Sequence, residues 1–221
     1  MDATELMVRG VVVGVFQENC YIIGSRQTGE AICVDPGDEV DQIKALARDM
    51  GVKITKIACS HAHLDHIMAV RALKEETGAP FLLHQADIEI AHGMPESAQR
   101  LLGRTEEPAP EPDFFIADGD DVEIPGISLK VIHTPGHTPG SICFYGGGML
   151  FSGDTLFRGS IGRFDLPGGS FEQIMISIMS RLMPLPDETI VRPGHMEQTT
   201  IGFERLNNPF VQQILAEMQR R

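Results

Sequence analysis

The apolar positions of this chain fall into short β-branched runs that alternate with stretches of helical spacing. "MVRGVVVGVF" reads as a strand, and "CYIIG" and "EAICVDPGD" as the next two, with turns at Ser25–Gly29 and Pro36–Gly37. In "DEVDQIKALARDMG", Val40, Ile43, Leu46, Ala47 and Met50 recur at helical spacing, and Gly51 ends the run. "KITKIACS" is a strand that leads straight into a histidine-rich run. "DHIMAVRALKEETG" predicts one helix closed by Gly78, and "PFLLH" a short strand. Gln85 to Arg104 predict one or two helices, and "TEEPAPEPD" an exposed Pro- and acid-rich loop.

The pattern then repeats in kind. "FFIADGDDVEIPGISLKVIHT" predicts strands with turns at Gly119 and Gly126, and "GSICFYGGGMLFSGD" a hairpin around Gly146–Gly148. "LFRGSIGRFDLPGGS" reads as a long Gly-rich loop, "FEQIMISIMSRLM" as a helix and "ETIVRPGH" as a strand. The tail from Thr200 is helical with a break near Pro209. Two such halves, with no repeat at a solenoid period, predict two sheets packed face to face with helices outside. No linker divides the chain, so residues 1–221 are read as one domain with a short C-terminal helical tail.

Composition narrows the function classes. Hydrophobic residues at 42% and charged residues at 22% are an ordinary globular balance and argue against disorder. A net charge of -13 opposes a nucleic-acid partner, because phosphate neutralisation needs clustered Lys and Arg. "MDATELMVRG" shows no signal-peptide pattern, and no run approaches the roughly 18 apolar residues of a membrane span. Cys20, Cys33, Cys59 and Cys143 form no Cys-x-x-Cys pair. They are expected as buried free thiols, which places the protein in a reducing cytoplasm.

"SHAHLDHIMAV" changes the picture. It puts His61, His63, Asp65 and His66 within six positions. Imidazole and carboxylate are the usual ligands of zinc and related ions. His61 and His63 leave a strand two residues apart, so both project to one side and can grip one ion. Asp65 and His66 open the next helix and can face a neighbouring ion, although Asp65 alone would serve as a helix N-cap. Burying three imidazoles and a carboxylate together without a metal would be costly. Three later strand ends supply the remaining donors: His137 in "HTPGHTPGS", Asp154 in "FSGDTLF" and His195 in "VRPGH". His133 competes within its segment but lies inside the strand run. His84 and His92 are expected as surface or packing residues.

"VDPG", "SHAHLDH", "HTPGHTPGS", "SGDTLF" and "RPGH" together resemble the metallo-β-lactamase fold superfamily, in family order and across most of the chain. "NCY" (Asn19–Tyr21), "GDTLF", "GRFDLPGG" and "NNPF" resemble its small glyoxalase II-like hydrolases. The resemblance implies an α/β fold, an αββα four-layer sandwich with a metal site at one edge. It implies that His61, His63 and His137 hold a first ion, that Asp65, His66 and His195 hold a second, and that Asp154 bridges them. Asp65, His66 and Asp154 are the expected catalytic residues. Asp35 is the implied partner that orients a liganding imidazole. Where the family commonly has Gly after its last liganding histidine, this chain has Met196. It also stops soon after "NNPFVQQILAEMQRR", short of the helical domain that gives full-length glyoxalase II its glutathione contacts.

Two divalent ions, with zinc expected and iron or manganese as alternatives, lower the pKa of bound water and polarise a carbonyl. A thioester substrate such as S-lactoylglutathione suits that chemistry, because a thiolate whose thiol has a pKa of about 8.5 leaves without a strong general acid. The alternative is a mononuclear iron persulfide dioxygenase of the same fold, using counterparts of His61, His137 and Asp154. A non-catalytic or electron-transfer scaffold ranks last, and lactamase activity has no supporting feature. Arg158 and Arg163 border the site and could meet a substrate carboxylate, but pairing of Arg163 with Asp165 is the favoured reading. Tyr145 is expected as a packing residue. The expected partner is a small-molecule thioester, with no membrane, no nucleic acid and an undetermined oligomeric state.

Overall fold

Two six-stranded sheets carry the chain, of which the computed structural model describes residues 6–219. The first takes β1 (Leu6–Val13), β2 (Glu18–Ser25), β3 (Glu30–Val34), β4 (Lys53–Ala58), β5 (Phe81–Leu83) and β6 (Phe114–Phe115) in that spatial order. The hairpins β1–β2 and β2–β3 are antiparallel, and from β3 to β6 the neighbours are parallel. The second contains β7 (Asp121–Ile124), β8 (Ile127–His133), β9 (Ile142–Gly146), β10 (Met149–Gly153), β13 (Ile190–Pro193) and β14 (Thr199–Thr200). Its order is β14-β13-β10-β9-β8-β7, antiparallel except where β10 meets β13.

Strand β2 shows why the layers stack as they do. All but one of its residues are buried, and they alternate between two cores. Tyr21 and Ile23 point between the sheets, against Val122, Leu129, Phe144 and Phe151. Cys20 and Ile22 point the other way, into a core shared with α1 (Val40–Met50) and its Ile43 and Leu46. A strand covered on both faces reads as a continuous apolar run. On the far side of the second sheet, Cys143, Leu150 and Val191 pack against Ile174 and Ile178. The result is the α/β/β/α four-layer sandwich that the pattern predicts. The four thiols are free and buried, as expected.

Two local expectations are revised, and a third, one or two helices in Gln85–Arg104, is met by two. The helix predicted from Asp65 to Gly78 is two helices, α2 (Leu64–Ile67) and α3 (Val70–Thr77). The break has a cause: the Ala69 N–H donates to the Pro36 carbonyl instead of continuing the helical ladder. Asp65 lies in the first turn of α2, and the N-cap position belongs to His63, without a side-chain cap. The Gly-rich loop after Asp154 begins as a small hairpin of β11 (Leu156–Phe157) and β12 (Ser160–Ile161). Gln85–Arg104 resolve into a 3-10 turn (Gln85–Asp87), α4 (Ile88–His92) and α5 (Met94–Leu102).

After these come α6 (Phe171–Ser177), a π turn (Ile178–Leu182), α7 (Ile201–Asn207) and α8 (Pro209–Gln219). The tail is pinned by buried Glu204, which accepts from Thr199, from the Gly159 N–H and from Asn208. Asn208 also donates to the Ser160 carbonyl, which gives the "NNPF" motif a structural role. No described helix is long and apolar enough to cross a membrane.

Candidate metal centre

The donors gather where strands end. His61 and His63 follow β4 of the first sheet, while His137, Asp154 and His195 follow β8, β10 and β13 of the second. The fold thus brings all seven sequence-predicted donors together. His61, His63 and His137 form one group, and Asp65, His66 and His195 another. His61, His66 and Asp154 join the two, with ligand atoms in each group within 4.8 Å of one another.

The geometry fits metal ions. His137 Nε2 lies 2.8 Å from His63 Nδ1 and 3.2 Å from His61 Nε2. Nitrogens around a tetrahedral ion with bonds of about 2.0–2.1 Å stand roughly 3.3 Å apart. Asp154 faces both groups: Oδ1 is 3.4 Å from His66 Nε2, while Oδ2 is 3.6 Å from His137 Nε2 and 3.7 Å from His195 Nε2. Asp65 Oδ2 is 3.2 Å from His195 Nε2. His66 Nε2 and Asp154 Oδ1 are buried without a hydrogen-bond partner. Such orphaned buried groups are expensive unless something coordinates them.

The opposite nitrogens of His61 and His137 are hydrogen-bonded by the protein, and that of His66 faces a carboxylate. His61 Nδ1 is 3.1 Å from the Ser60 hydroxyl, and His137 Nδ1 donates to the Arg163 carbonyl at 2.7 Å. His66 Nδ1 is 3.1 Å from Asp35 Oδ2. Asp35 in turn accepts from the Ser60 N–H and hydroxyl, at 2.6 and 2.7 Å. Fixing one nitrogen aims the other and sets the tautomer.

Electrostatics divide the cluster. Burial, with help from neighbouring imidazoles, holds His61 well below its ordinary value and pushes His63 down to about 3. Burial also opposes charge on His66, but Asp154 and Asp35 outweigh it and raise that imidazole. Burial pushes Asp154 up, yet His66, His137 and His195 hold it well below the usual carboxylate range. Burial thus favours the neutral, ligating form of His61 and His63, whereas His66 holds a proton that a bound cation would displace.

Sequence reasoning missed two buried acids. Glu18 lies 3.9 Å from His66 Nδ1 with both oxygens unpartnered, and burial raises its carboxyl well above the ordinary value. Asp87 accepts three hydrogen bonds near His61 and His137. Neither has a local sequence signal, because their partners lie 25 or more residues away. Asn19 and Tyr21 of "NCY" support the His195 loop. Asn19 Nδ2 donates to the Pro193 and Met196 carbonyls, and the Tyr21 hydroxyl to Pro193.

The remaining candidates are engaged in contacts of their own. His133 stacks on His84 with centroids 4.3 Å apart, and His92 pairs with Glu111 on the surface. Tyr145 is a packing residue of the outer core. Arg163 is clamped by both oxygens of Asp165 at 2.9 Å, and Arg158 lies 5.1 Å from the Phe203 ring centre.

Met196 occupies left-handed backbone at φ 69, where the family commonly has Gly. Such a conformation costs a non-glycine residue about 1–2 kcal/mol. Glycine would relieve that strain but would add unfolded-state freedom worth about 0.4–1 kcal/mol. Met196→Gly is therefore expected to raise the thermal midpoint by about 2 °C. A fall measured by circular dichroism melting would contradict this account of the turn.

Two facing sheets with this donor set at their strand ends place the chain in the metallo-beta-lactamase superfamily, whose family model matches residues 13–195. A hydroxyacylglutathione hydrolase, GloC, from Haemophilus influenzae is 36% identical over 205 residues, covering 91% of this chain and 96% of its own. Among solved structures, the B3 metallo-beta-lactamase BLEG-1 matches with TM-score 0.87 and 35% identity, covering 93% of this chain and 99% of its own. The di-iron-bound form of TTHA1623 matches with TM-score 0.82 and 39% identity, covering 91% and 99%. ETHE1 from Myxococcus xanthus matches with TM-score 0.78 and 27% identity, covering 96% and 91%.

Proposed function

We propose that this metallo-hydrolase superfamily member holds two divalent ions and hydrolyses thioesters of the S-lactoylglutathione type. His61, His63 and His137 hold the first ion, Asp65, His66 and His195 the second, and Asp154 spans both. The observation that carries this reading is the placement of Asp154, whose two oxygens face the two groups at once. Likeness to the Haemophilus influenzae hydroxyacylglutathione hydrolase over most of both chains supports the substrate class. Zinc is the proposed metal. The di-iron form of TTHA1623 makes iron the first alternative to assay.

Such ions, when bound, activate water near neutral pH and polarise the scissile carbonyl. The chain's own residues do the rest. The Arg163 backbone carbonyl and the Ser60 hydroxyl fix His137 and His61, and Asp35 stands against His66, so the donors need little reorganisation on binding. Asp65 is the most exposed carboxylate of the cluster, at 18%, and faces His195, where it can take a proton from attacking water. A thiolate leaving group needs no acid to assist it.

A second reading has its own support. His61, His137 and Asp154 converge as a two-histidine, one-carboxylate set, and ETHE1 shares the fold closely. That reading is a mononuclear iron dioxygenase acting on a persulfide. Chelation followed by dialysis separates the alternatives. Thioester turnover is expected to vanish and to return on adding back zinc, manganese or iron, with no oxygen uptake. Oxygen consumption with glutathione persulfide, restored by iron alone, would replace the hydrolase reading. Turnover of a β-lactam in place of thioesters would favour the activity named for BLEG-1.

A further inference from the structure

Asp87 lies outside the donor cluster, at the end of the 3-10 turn Gln85–Asp87, and is fully buried. Its carboxylate accepts three hydrogen bonds. Oδ2 accepts from the Ala62 N–H at 3.0 Å and from the Thr138 hydroxyl at 2.8 Å, and Oδ1 accepts from the Gly140 N–H at 2.6 Å. Ala62 sits between His61 and His63, and Thr138 follows His137. A Cβ on Gly140 would stand 2.6 Å from Asp87 Oδ1, so only glycine lets that backbone come so close.

The two bridged loops belong to different sheets. His61 and His63 leave β4, and His137 leaves β8. Among the described residues, the backbone bond from the Ile142 N–H to the Ser60 carbonyl is the one that joins these two loops, and the other backbone bond between the sheets, from the Asn19 N–H to the Gly194 carbonyl, lies at the His195 loop. A carboxylate with one oxygen on each loop, and a hydroxyl shared with the second, fixes the distance between the His61–His63 pair and His137.

We infer that Asp87 is a positioning residue for the first ion, setting the spacing of its three imidazoles and thereby its affinity. The inference rests on the metal assignment proposed above. The hydrogen bonds of Asp87 go to two backbone N–H groups and a hydroxyl rather than to the donor atoms, so it acts through the two loops.

Asp87→Asn isolates this role at constant volume. An amide has one oxygen, so its NH2 must face either the Ala62 or the Gly140 N–H. One loop loses its acceptor while the fold keeps its shape. The site is isolated in a His195→Ala background, which disables the second ion, and the second site in a His63→Ala background. Zinc affinity is measured by competition with a chromophoric chelator, alongside the Co2+ absorption spectrum and the melting midpoint of the metal-free chain.

In the His195→Ala background, Asp87→Asn is expected to weaken zinc binding about 10- to 100-fold and to shift the Co2+ visible bands. In the His63→Ala background the change should stay within about 3-fold. Thr138→Ser, which keeps the hydroxyl, is expected to behave as its parent. Unchanged first-site affinity and spectrum in a folded Asp87→Asn protein would overturn the inference. Equal weakening of both sites with a matching fall in melting midpoint would overturn it too, since that is general destabilisation. If the His195→Ala parent itself bound no zinc, the metal assignment would fail, and this inference with it.

Discussion

Asp154→Ala is expected to drop bound metal from two ions per chain to below one and to lower thioester kcat/KM by more than about 10²-fold. Losing an outer partner of a metal ligand already costs roughly 10- to 100-fold, and Asp154 faces the ligand atoms directly. Its oxygens stand 3.4 to 3.7 Å from His66, His137 and His195, drawn from both groups. Asp65 faces His195 at 3.2 Å and is the more exposed of the two acids. Asp65→Ala should therefore lose less metal. Elemental analysis of the two variants, with circular dichroism to confirm folding, checks the order. Equal losses would remove Asp154 from the shared position.

Asp35→Ala should weaken the second ion and the fold together. Asp35 sits at φ 53, in left-handed backbone, holds the Ser60 N–H and hydroxyl, and stands 3.1 Å from His66 Nδ1. Removing it orphans a buried N–H, which costs about 1–3 kcal/mol, and frees His66 to turn. Metal affinity at the second site is expected to fall about 10- to 100-fold. Asp35→Asn separates the two effects. Its oxygen can still accept from Ser60, so most of the stability returns, but its amide cannot both serve Ser60 and accept from His66. Denaturant unfolding and metal titration read the two quantities. An Asn variant with parental second-site affinity would show that His66 needs no carboxylate behind it.

The donors were legible because each carries a local signal. His61, His63, Asp65 and His66 are crowded into one run. His137, Asp154 and His195 each follow an apolar strand, where side chains are presented. The layers were legible because the centre of β2, Cys20–Gly24, is apolar and α1 keeps a helical period with Gly51 behind it. What escaped the sequence is carried by distant pairs. The break after Ile67 depends on the Pro36 carbonyl capturing the Ala69 N–H, more than thirty positions away in the chain. Strand β6 reads as part of the second half, yet it closes the first sheet beside β5. Asp87 sits in a stretch that looks helical, and its partners are 25, 51 and 53 residues distant. A single buried acid in such a stretch has no period or motif to mark it.

Asn19 shows the intermediate case. Its motif was visible, and its work was not. The structure assigns it the carbonyls on either side of His195, so a polar side chain at a strand start becomes the brace of a loop in the opposite sheet.

The central claim is that two ions held by these seven donors cleave a thioester. It is tested most directly by steady-state kinetics of the metal-loaded protein on a matched thioester, oxygen ester and amide, with oxygen monitored throughout. The thiolate is the best leaving group of the three, with a thiol pKa of about 8.5. The thioester is therefore expected to turn over fastest, with kcat/KM well below the diffusional ceiling of about 10⁸ M⁻¹s⁻¹ and no oxygen uptake. Comparable rates across the three substrates, or oxygen uptake with a persulfide and no thioester turnover, would contradict it.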